Sequence, residues 1–264
     1  MTAILFVCCG NTCRSPLAEC FAKRVFSGPN HRILSVGLET ADGGYAAAKA
    51  LAVAKEFDLD LSTFRTRSIN SVDLQELDMV VSLDSGIGAA LEGYRLARHI
   101  TLDVEDPYGK SLDEYRDAAR LIQVEVRRIY ALDALHRLKS PNPPLGSHAK
   151  GIVDTASREF EKTSKDIVPL LTGEAVRKKR TLGQVASDLE RGLPGVPAAS
   201  QPTARTLVAT IRRINQTWVS LKHLDDPPPG ELIATTQLIV DGFCLAASLY
   251  RRTAPVEERI ASPE

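Results

Sequence analysis

The pattern of hydrophobic and polar residues changes about halfway along the chain. In the first half, short apolar runs typical of strands buried on both faces alternate with segments of helical periodicity. This alternation predicts an α/β fold in which a four-stranded parallel sheet carries helices on both faces. The predicted strands are Ala3–Val7, Ile33–Val36, Asp78–Leu83 and His99–Leu102, and the predicted helices are Pro16–Phe26, Ala46–Phe57 and Ser111–Leu138.

The second half shows helical periodicity only. Apolar residues there recur at spacings of three and four, which predicts an all-α bundle of about four helices. The segment SPNPPLG at 140–146 has the composition of a linker, because three prolines in seven residues end a helix and stiffen the chain. We therefore expect a first domain at 1–138, a Pro-rich linker at 139–146 and a helical domain of unknown role at 147–264.

Composition and charge narrow the class of protein. The 264 residues are 44% hydrophobic and 25% charged, as in a soluble globular protein, and Lys+Arg and Asp+Glu balance at 33 each. The absence of a basic excess argues against nucleic acid as a partner. No signal peptide is evident, and the longest apolar stretch, Leu232–Tyr250, is interrupted by Gln237 and Asp241, which argues against a membrane. Five cysteines, three of them in one short loop, suggest reduced thiols in the cytoplasm.

The candidate chemistry lies in the loop CCGNTCRSP, which follows the first predicted strand and precedes the first predicted helix. Successive backbone N–H groups in such a loop can converge on one anion, and the helix N-terminus adds its positive end. Gly10 is expected to adopt a conformation that a β-carbon would resist, and Arg14 offers a planar fork for two phosphate oxygens. The same positive field favours the thiolate of Cys8, to which Ser15 can donate a hydrogen bond. Ser15 is also the expected cap of the helix, with Pro16 in its first position.

The sequence VCCGNTCRSPLAE resembles the active-site loop of the low-molecular-weight protein tyrosine phosphatases. Ser35-Val36-Gly37 is similar to that family's Ser-Ala-Gly after its second strand, and DPYGKSLDEY, which starts at Asp106, is similar to its Asp-Pro acid loop. The resemblance covers residues 1–138 and implies the family's fold for them.

The resemblance also implies roles for individual residues. Cys8 would attack phosphorus to form a thiophosphate intermediate, Arg14 would bind the phosphoryl oxygens, and Asp106 would act as acid and then base, with Asp103 the alternative base. The resemblance implies that this reaction uses no metal and no cofactor. Tyr108 would form an aromatic wall of the substrate slot, or else be a core residue. The remaining positions expected to bind substrate are Cys9, Gly10, Asn11, Thr12, Cys13 and Ser15.

The resemblance implies that the substrate is a phosphorylated protein side chain, either phosphoarginine or phosphotyrosine. Thr12 occupies a loop position that is usually a bulky aliphatic residue in the tyrosine-specific members and threonine in the bacterial arginine phosphatases, so the motif is closest to the arginine type. Its smaller, hydroxyl-bearing side chain favours a polar guanidino group as the substrate. The alternative is that threonine at this position has no effect on specificity, in which case phosphotyrosine stays a possible substrate. Thioredoxin-coupled arsenate reductases, which share this fold and loop, need two further cysteines near residue 82, and SLDSGIGAAL at 82–91 has none.

Three further questions stay open from the sequence. A rival hypothesis makes the protein a catalytically weak, phosphate-sensing adaptor whose helical domain binds a partner. That domain could also form a homodimer or recruit a protein. The basic run Arg177–Arg180 within it is interpreted as a solvent-exposed helix face. A reversible Cys8–Cys13 disulfide, which protects the nucleophile in the resembling family, is sterically conceivable, with Cys9 more simply a packed side chain.

Overall fold

A computed structural model describes residues 2–27, 31–173 and 180–253 of the chain. It divides into two compact units, Met1–Val126 and Arg127–Glu264, and the division falls inside one long helix. The predicted boundaries at 138 and 147 are defined by composition, whereas this division reflects packing.

The first unit is built on a four-stranded parallel sheet, as predicted. Its strands are β1 (Thr2–Cys8), β2 (His31–Gly37), β3 (Met79–Ser82) and β4 (His99–Thr101), in the spatial order β2-β1-β3-β4. The apolar run of β1 explains its central place, because Ile4, Leu5, Phe6 and Val7 are fully buried.

Helices connect and flank these strands. They are α1 (Arg14–Val25), α2 (Ala48–Glu56), α3 (Ser85–Ala90) and the beginning of α4 (Leu112–Leu138). The short helix α3 was not predicted, because its sequence SGIGAA has two glycines and is too short to show helical periodicity. Asp84 caps it, with Oδ1 accepting a hydrogen bond from the N–H of Ile87 at 2.8 Å.

The start of α1 differs from the prediction. The helix begins at Arg14, and its N-cap is Cys13, which makes no side-chain capping bond. Ser15 is therefore inside the first turn and is not the cap. The reason is that its hydroxyl is used elsewhere, in contacts with Cys8 and with the carbonyl of Val36.

The carboxyl ends of all four strands lie along one edge of the sheet. From β1 the chain reaches β2 on one side, and it later enters β3 on the other side of β1. Ligand sites of open parallel sheets form at such a reversal of strand order, beyond the carboxyl ends of the strands. Cys8 ends β1 at this edge, directly opposite Gly37 at the end of β2.

The second unit is helical, as predicted. After the end of α4 it contains α5 (Gly146–Thr172), α6 (Leu182–Gly192), α7 (Gln201–Leu221) and α8 (Pro229–Thr253), and α8 packs on both α5 and α7. The rings of Phe160 and Phe243 meet edge to face at 5.2 Å between centroids in its core. In the predicted basic run, Arg177–Lys179 lie outside the described residues.

A buried cation fixes the end of α4 to α5 within this unit. Arg127 pairs with Glu159 at 3.1 Å and with Asp166 at 3.3 Å, and it donates to the Thr163 hydroxyl at 2.9 Å. Burial raises the pKa of Asp166, while the Arg127 charge opposes that shift.

One helix in the described part of the chain is long and apolar enough to span a bilayer by length and composition, namely Pro229–Arg252. The sequence had suggested that Gln237 and Asp241 interrupt this stretch. Since 56% of its most apolar window is buried inside the structure, its apolar character is that of a core helix.

Candidate active site

The loop between β1 and α1 brings the proposed nucleophile against a serine. Cys8 is only 3% exposed, and its Sγ lies 3.0 Å from the Oγ of the fully buried Ser15. The Ser15 oxygen also accepts a hydrogen bond from the side-chain amide of Asn11 at 2.8 Å. With a donor already directed at its oxygen, Ser15 can direct its own proton either to the Val36 carbonyl, at 3.3 Å, or to a Cys8 thiolate, at 3.0 Å.

Asn11 sets the shape of this loop. Its φ is +49°, in the left-handed region, and three hydrogen bonds hold it there. Its Nδ2 donates to Ser15 and to Ser35 (3.0 Å), while its Oδ1 accepts from the N–H of Arg67 at 2.8 Å. The expectation that Gly10 carries the special conformation was wrong: Gly10 is not among the positive-φ residues, and a β-carbon there would meet only Thr12 Oγ1, at 3.6 Å.

The loop is also anchored from outside through its carbonyl groups. The oxygens of Cys8 and Cys9 accept from the N–H groups of Leu38 and Glu39, each at 3.0 Å, and the Thr12 oxygen accepts from Ala47 at 2.9 Å. Within the described residues, the N–H groups of positions 9–13 make no hydrogen bond to the protein. A ring of unused donors next to a cysteine sulfur is suited to an oxyanion.

Arg14 stands at the centre of the charged groups. Its side chain is 3% exposed, and its guanidinium donates to Asp84 (2.6 Å), to Asp106 (2.6 Å) and to the carbonyl of Val104 (2.9 Å). Its Nε is buried and has no hydrogen-bond partner among the described residues. A buried N–H without an acceptor is costly, so it marks a place where a ligand oxygen would be stabilised.

Asp106, the first residue of the acid loop, pairs with this arginine. Its Oδ2 pairs with Arg14 while its Oδ1 accepts from the N–H of Tyr108 at 3.1 Å. The side chain remains 45% exposed, which leaves it open to a substrate or a water molecule. Tyr108 is 69% exposed and is therefore not a core residue.

The other cysteines of the first unit differ from Cys8 in their surroundings. Burial raises the pKa of Cys13, whose Sγ lies 3.3 Å from the Tyr115 hydroxyl. Burial also raises the pKa of Cys20, to about 11. The pKa of Cys9 is raised first by burial and then by the carboxylate of Glu39, to which its Sγ donates at 3.5 Å. These three thiols are accordingly protonated near neutral pH.

Sequence reasoning missed Asp84 and a second group below the loop. Glu19 is 3% exposed and accepts from Ser35 at 2.6 Å, from Lys23 at 2.6 Å and from Arg67 at 2.7 Å. Ser35 in turn contacts Asn11, so the carboxylate supports the loop through a chain of hydrogen bonds. Asp84 had a detectable sign, since an acidic residue two positions after a buried parallel strand lies at the ligand-binding edge.

Comparisons with known proteins agree with this architecture. The family model described as low molecular weight phosphotyrosine protein phosphatase matches residues 3–140, just over half of the chain. The low molecular weight protein-tyrosine-phosphatase PtpB of Staphylococcus haemolyticus is 37% identical over 121 residues, 43% of this chain and 86% of the relative. The glutaredoxin arsenate reductase of Synechocystis is 32% identical over 133 residues, 50% of this chain and 98% of the relative.

Among solved structures, the YwlE arginine phosphatase from Geobacillus stearothermophilus is similar to this chain. It shares 25% sequence identity with a TM-score of 0.48, over 54% of this chain and 99% of the other. The family match ends at residue 140, so it covers the sheet, the loop and α4 but not α5–α8. The chain belongs to the low molecular weight phosphotyrosine protein phosphatase family, and it is a cysteine-dependent protein phosphatase.

Proposed function

We propose that Cys8, Arg14 and Asp106 carry out a two-step hydrolysis. In the first step the Cys8 thiolate forms an S–P bond while the bond from phosphorus to the leaving atom breaks, and Asp106 gives its proton to that atom. In the second step water attacks phosphorus, the S–P bond breaks, Asp106 takes a proton from the water, and inorganic phosphate leaves. The observation that supports this assignment best is the 2.6 Å contact of Arg14 with Asp106, next to Ser15, whose hydroxyl lies 3.0 Å from the Cys8 sulfur.

The loop has a distinct part in each step. The unused N–H groups of 9–13 and the Nε of Arg14 would hold the three phosphoryl oxygens as charge moves among them. Ser15 would stabilise the Cys8 thiolate before attack and again when that thiolate is the leaving group. Asp84 would keep the guanidinium in place from the other side, through its 2.6 Å contact with Arg14.

Substrate binding changes the partner of Asp106. In the free protein its carboxylate pairs with Arg14. Phosphoryl oxygens compete for the same guanidinium, and a carboxyl group next to a bound dianion is favoured in its protonated form. Binding would thereby prepare Asp106 to act as the general acid of the first step.

We propose phosphoarginine as the substrate in preference to phosphotyrosine. Thr12 is half-buried in the loop, and its hydroxyl has only a weak contact with the Cys13 sulfur, at 3.5 Å. The carboxylate of Glu39 lies beside the loop and accepts a hydrogen bond from the Cys9 sulfur at 3.5 Å. A carboxylate at this place suits a positively charged guanidino group better than a neutral phenol ring. Tyr108 would form one exposed wall of the slot.

Replacement of Thr12 tests this preference. Thr12→Ile should lower the ratio of kcat/KM for a phosphoarginine protein to that for a phosphotyrosine peptide by about tenfold. Thr12→Ser keeps the hydroxyl and should leave the ratio near its wild-type value. An unchanged ratio in Thr12→Ile would remove the reason for favouring arginine, although hydrolysis of p-nitrophenyl phosphate would still report on the phosphatase itself.

Two other activities are less well supported. Cys8 contacts Ser15, the neighbour of Arg14, and Arg14 pairs with Asp106, which supports a working phosphatase over an adaptor that only senses phosphate. Arsenate reduction of the related type requires further cysteines near residue 82, and residues 82–91 contain none. Three of the five cysteines lie in one short loop, which supports our proposal that the enzyme works in the reducing cytoplasm.

A further inference from the structure

A polar cavity of about 390 Å³ lies in the helical unit, where α5, α6 and α7 meet. Each of the three helices contributes residues, so the cavity is part of the packed bundle and does not belong to one helix. The lining consists of Glu161, Lys165, Arg180, Thr181, Leu182, Asn215, Val219 and Lys222. The family match does not extend to this region.

The charges around this cavity favour an anion. Among the described residues, three cationic side chains and one carboxylate line it. Glu161 already pairs with Lys165 at 2.5 Å, and Arg180 pairs at 3.4 Å with Asp188, which lies outside the lining. Lys222 makes no ion pair in the part of the chain that the structure describes. The excess of positive charge therefore centres on the end of α7.

Hydrogen-bonding groups are placed beside these cations. The side-chain amide of Asn215 lies beside Gly183 in the first turn of α6. If Gly183 carried a β-carbon, that carbon would lie only 3.3 Å from the Asn215 Nδ2. The glycine thus leaves room for that amide. The floor is the buried side chain of Leu182, which is 4% exposed. Cationic and amide donors over an apolar floor form a site that can hold an oxyanion through several charge-assisted hydrogen bonds.

We propose that this cavity binds a phosphoryl anion, held by Lys165, Arg180 and Lys222 with Asn215 as a further donor. A phosphate monoester carries a charge near −2 and three acceptor oxygens. As a ligand for three cations it is therefore a better match than a carboxylate, which carries one negative charge. The existing pairs are partly exposed, so they contribute little and can be exchanged for the ligand. Two sources share this chemistry: inorganic phosphate, and a phosphorylated residue of a protein, the latter resting on the proposed function.

Titration of the 15N-labelled full chain with inorganic phosphate tests the site, with sodium chloride at equal ionic strength as the reference. The side-chain amide of Asn215 should shift on addition of phosphate and not of chloride. Lys222→Glu should weaken the phosphate affinity read from Asn215 by about tenfold, the loss expected for one charge-assisted contact. Arg213→Glu is the matched control, because Arg213 is exposed on the same helix but outside the cavity, and it should leave that affinity unchanged.

The same titration separates this inference from the proposed function. Resonances of Gly10 and Thr12 report phosphate binding in the active-site loop and should shift equally in wild type and Lys222→Glu. If the resonances of Gly10 and Thr12 do not shift while that of Asn215 does, the result counts against the proposed function and not against the cavity. No shift of Asn215 in the wild type, or equal shifts in wild type and Lys222→Glu, would overturn the proposal.

Kinetics with a phosphorylated protein identifies the source. If the cavity takes a phosphorylated residue of the substrate, Lys222→Glu should raise KM for that protein severalfold while kcat, and all constants for p-nitrophenyl phosphate, stay unchanged. If it takes free phosphate, KM for the protein should not change although the Asn215 shift is lost. Either result supports the site, provided the Asn215 response depends on Lys222.

Discussion

The two units bury polar groups in opposite ways. In the first unit the buried polar side chains reach across the fold toward one loop: Asn11 to Ser35, Ser35 to Glu19, and Arg14 to Asp84. In the helical unit, the buried hydroxyls of Thr163, Ser164 and Thr236 bond to carbonyls of their own helix, as Ser164 does to the Phe160 carbonyl (2.8 Å). Both arrangements satisfy buried polar atoms, but only the first fixes groups from distant segments relative to one another.

This difference indicates which unit is organised for catalysis. A network that crosses the fold is expensive to maintain, since each member that loses its partner leaves a buried polar group unsatisfied. The sheet unit retains such a network directly below Cys8. The helical unit has the simpler core of an amphipathic bundle, with Arg127 as its clearest exception. Changes in the first unit should therefore affect catalysis most, and changes in the second should affect stability most.

The largest expected effect is that of removing the nucleophile. Cys8→Ser should lower kcat for p-nitrophenyl phosphate by at least about 10³-fold, because an unactivated hydroxyl replaces the thiolate. Cys244→Ser removes a thiol from the exposed surface of α8 and should leave kcat unchanged. Turnover by Cys8→Ser at a comparable rate would show that the sulfur takes no part in the reaction.

The core of the helical unit offers the complementary test. Phe160→Ala removes a fully buried ring that packs on Phe243, and it should destabilise that unit by about 3–5 kcal/mol. Chemical denaturation followed by the fluorescence of Trp218, the single tryptophan of the chain, measures this loss. At a temperature where the variant is folded, its kcat for p-nitrophenyl phosphate should equal that of wild type. A fall in kcat would mean that the bundle takes part in the chemistry.

A smaller effect distinguishes two glycines near the loop. A β-carbon at Gly37 would lie 2.6 Å from the Cys9 carbonyl oxygen and 2.9 Å from the Asn11 nitrogen, whereas one at Gly10 would meet nothing closer than 3.6 Å. Gly37→Ala should therefore displace the loop and lower kcat/KM by about tenfold or more. Gly10→Ala should lower it much less, and equal losses in the two variants would contradict this account of the loop.

Much of this organisation could be predicted from the sequence because it depends on local patterns. The strand, the loop and α1 are contiguous in sequence, so the structural setting of Cys8 and Arg14 can be recognised from the residues next to them. The helices α5–α8 are predicted from the spacing of apolar residues. The supporting groups could not be predicted in the same way. Asp84 and Glu19 act through partners 70 and 16 residues away, and only the packed sheet brings them together. The left-handed residue of the loop was missed because its conformation depends on side-chain contacts of Asn11, not on the absence of a β-carbon.

Direct detection of the thiophosphate tests the central claim. Asp106→Asn removes the group that activates water, so it should slow release of the intermediate by about 10²-fold or more and let it accumulate. After incubation with p-nitrophenyl phosphate, acid quenching and digestion, mass spectrometry should find one phosphoryl group, on Cys8. Asp103→Asn, treated identically, should show no such accumulation. A phosphoryl group on another residue, or none on Cys8 while product still forms, would contradict the mechanism.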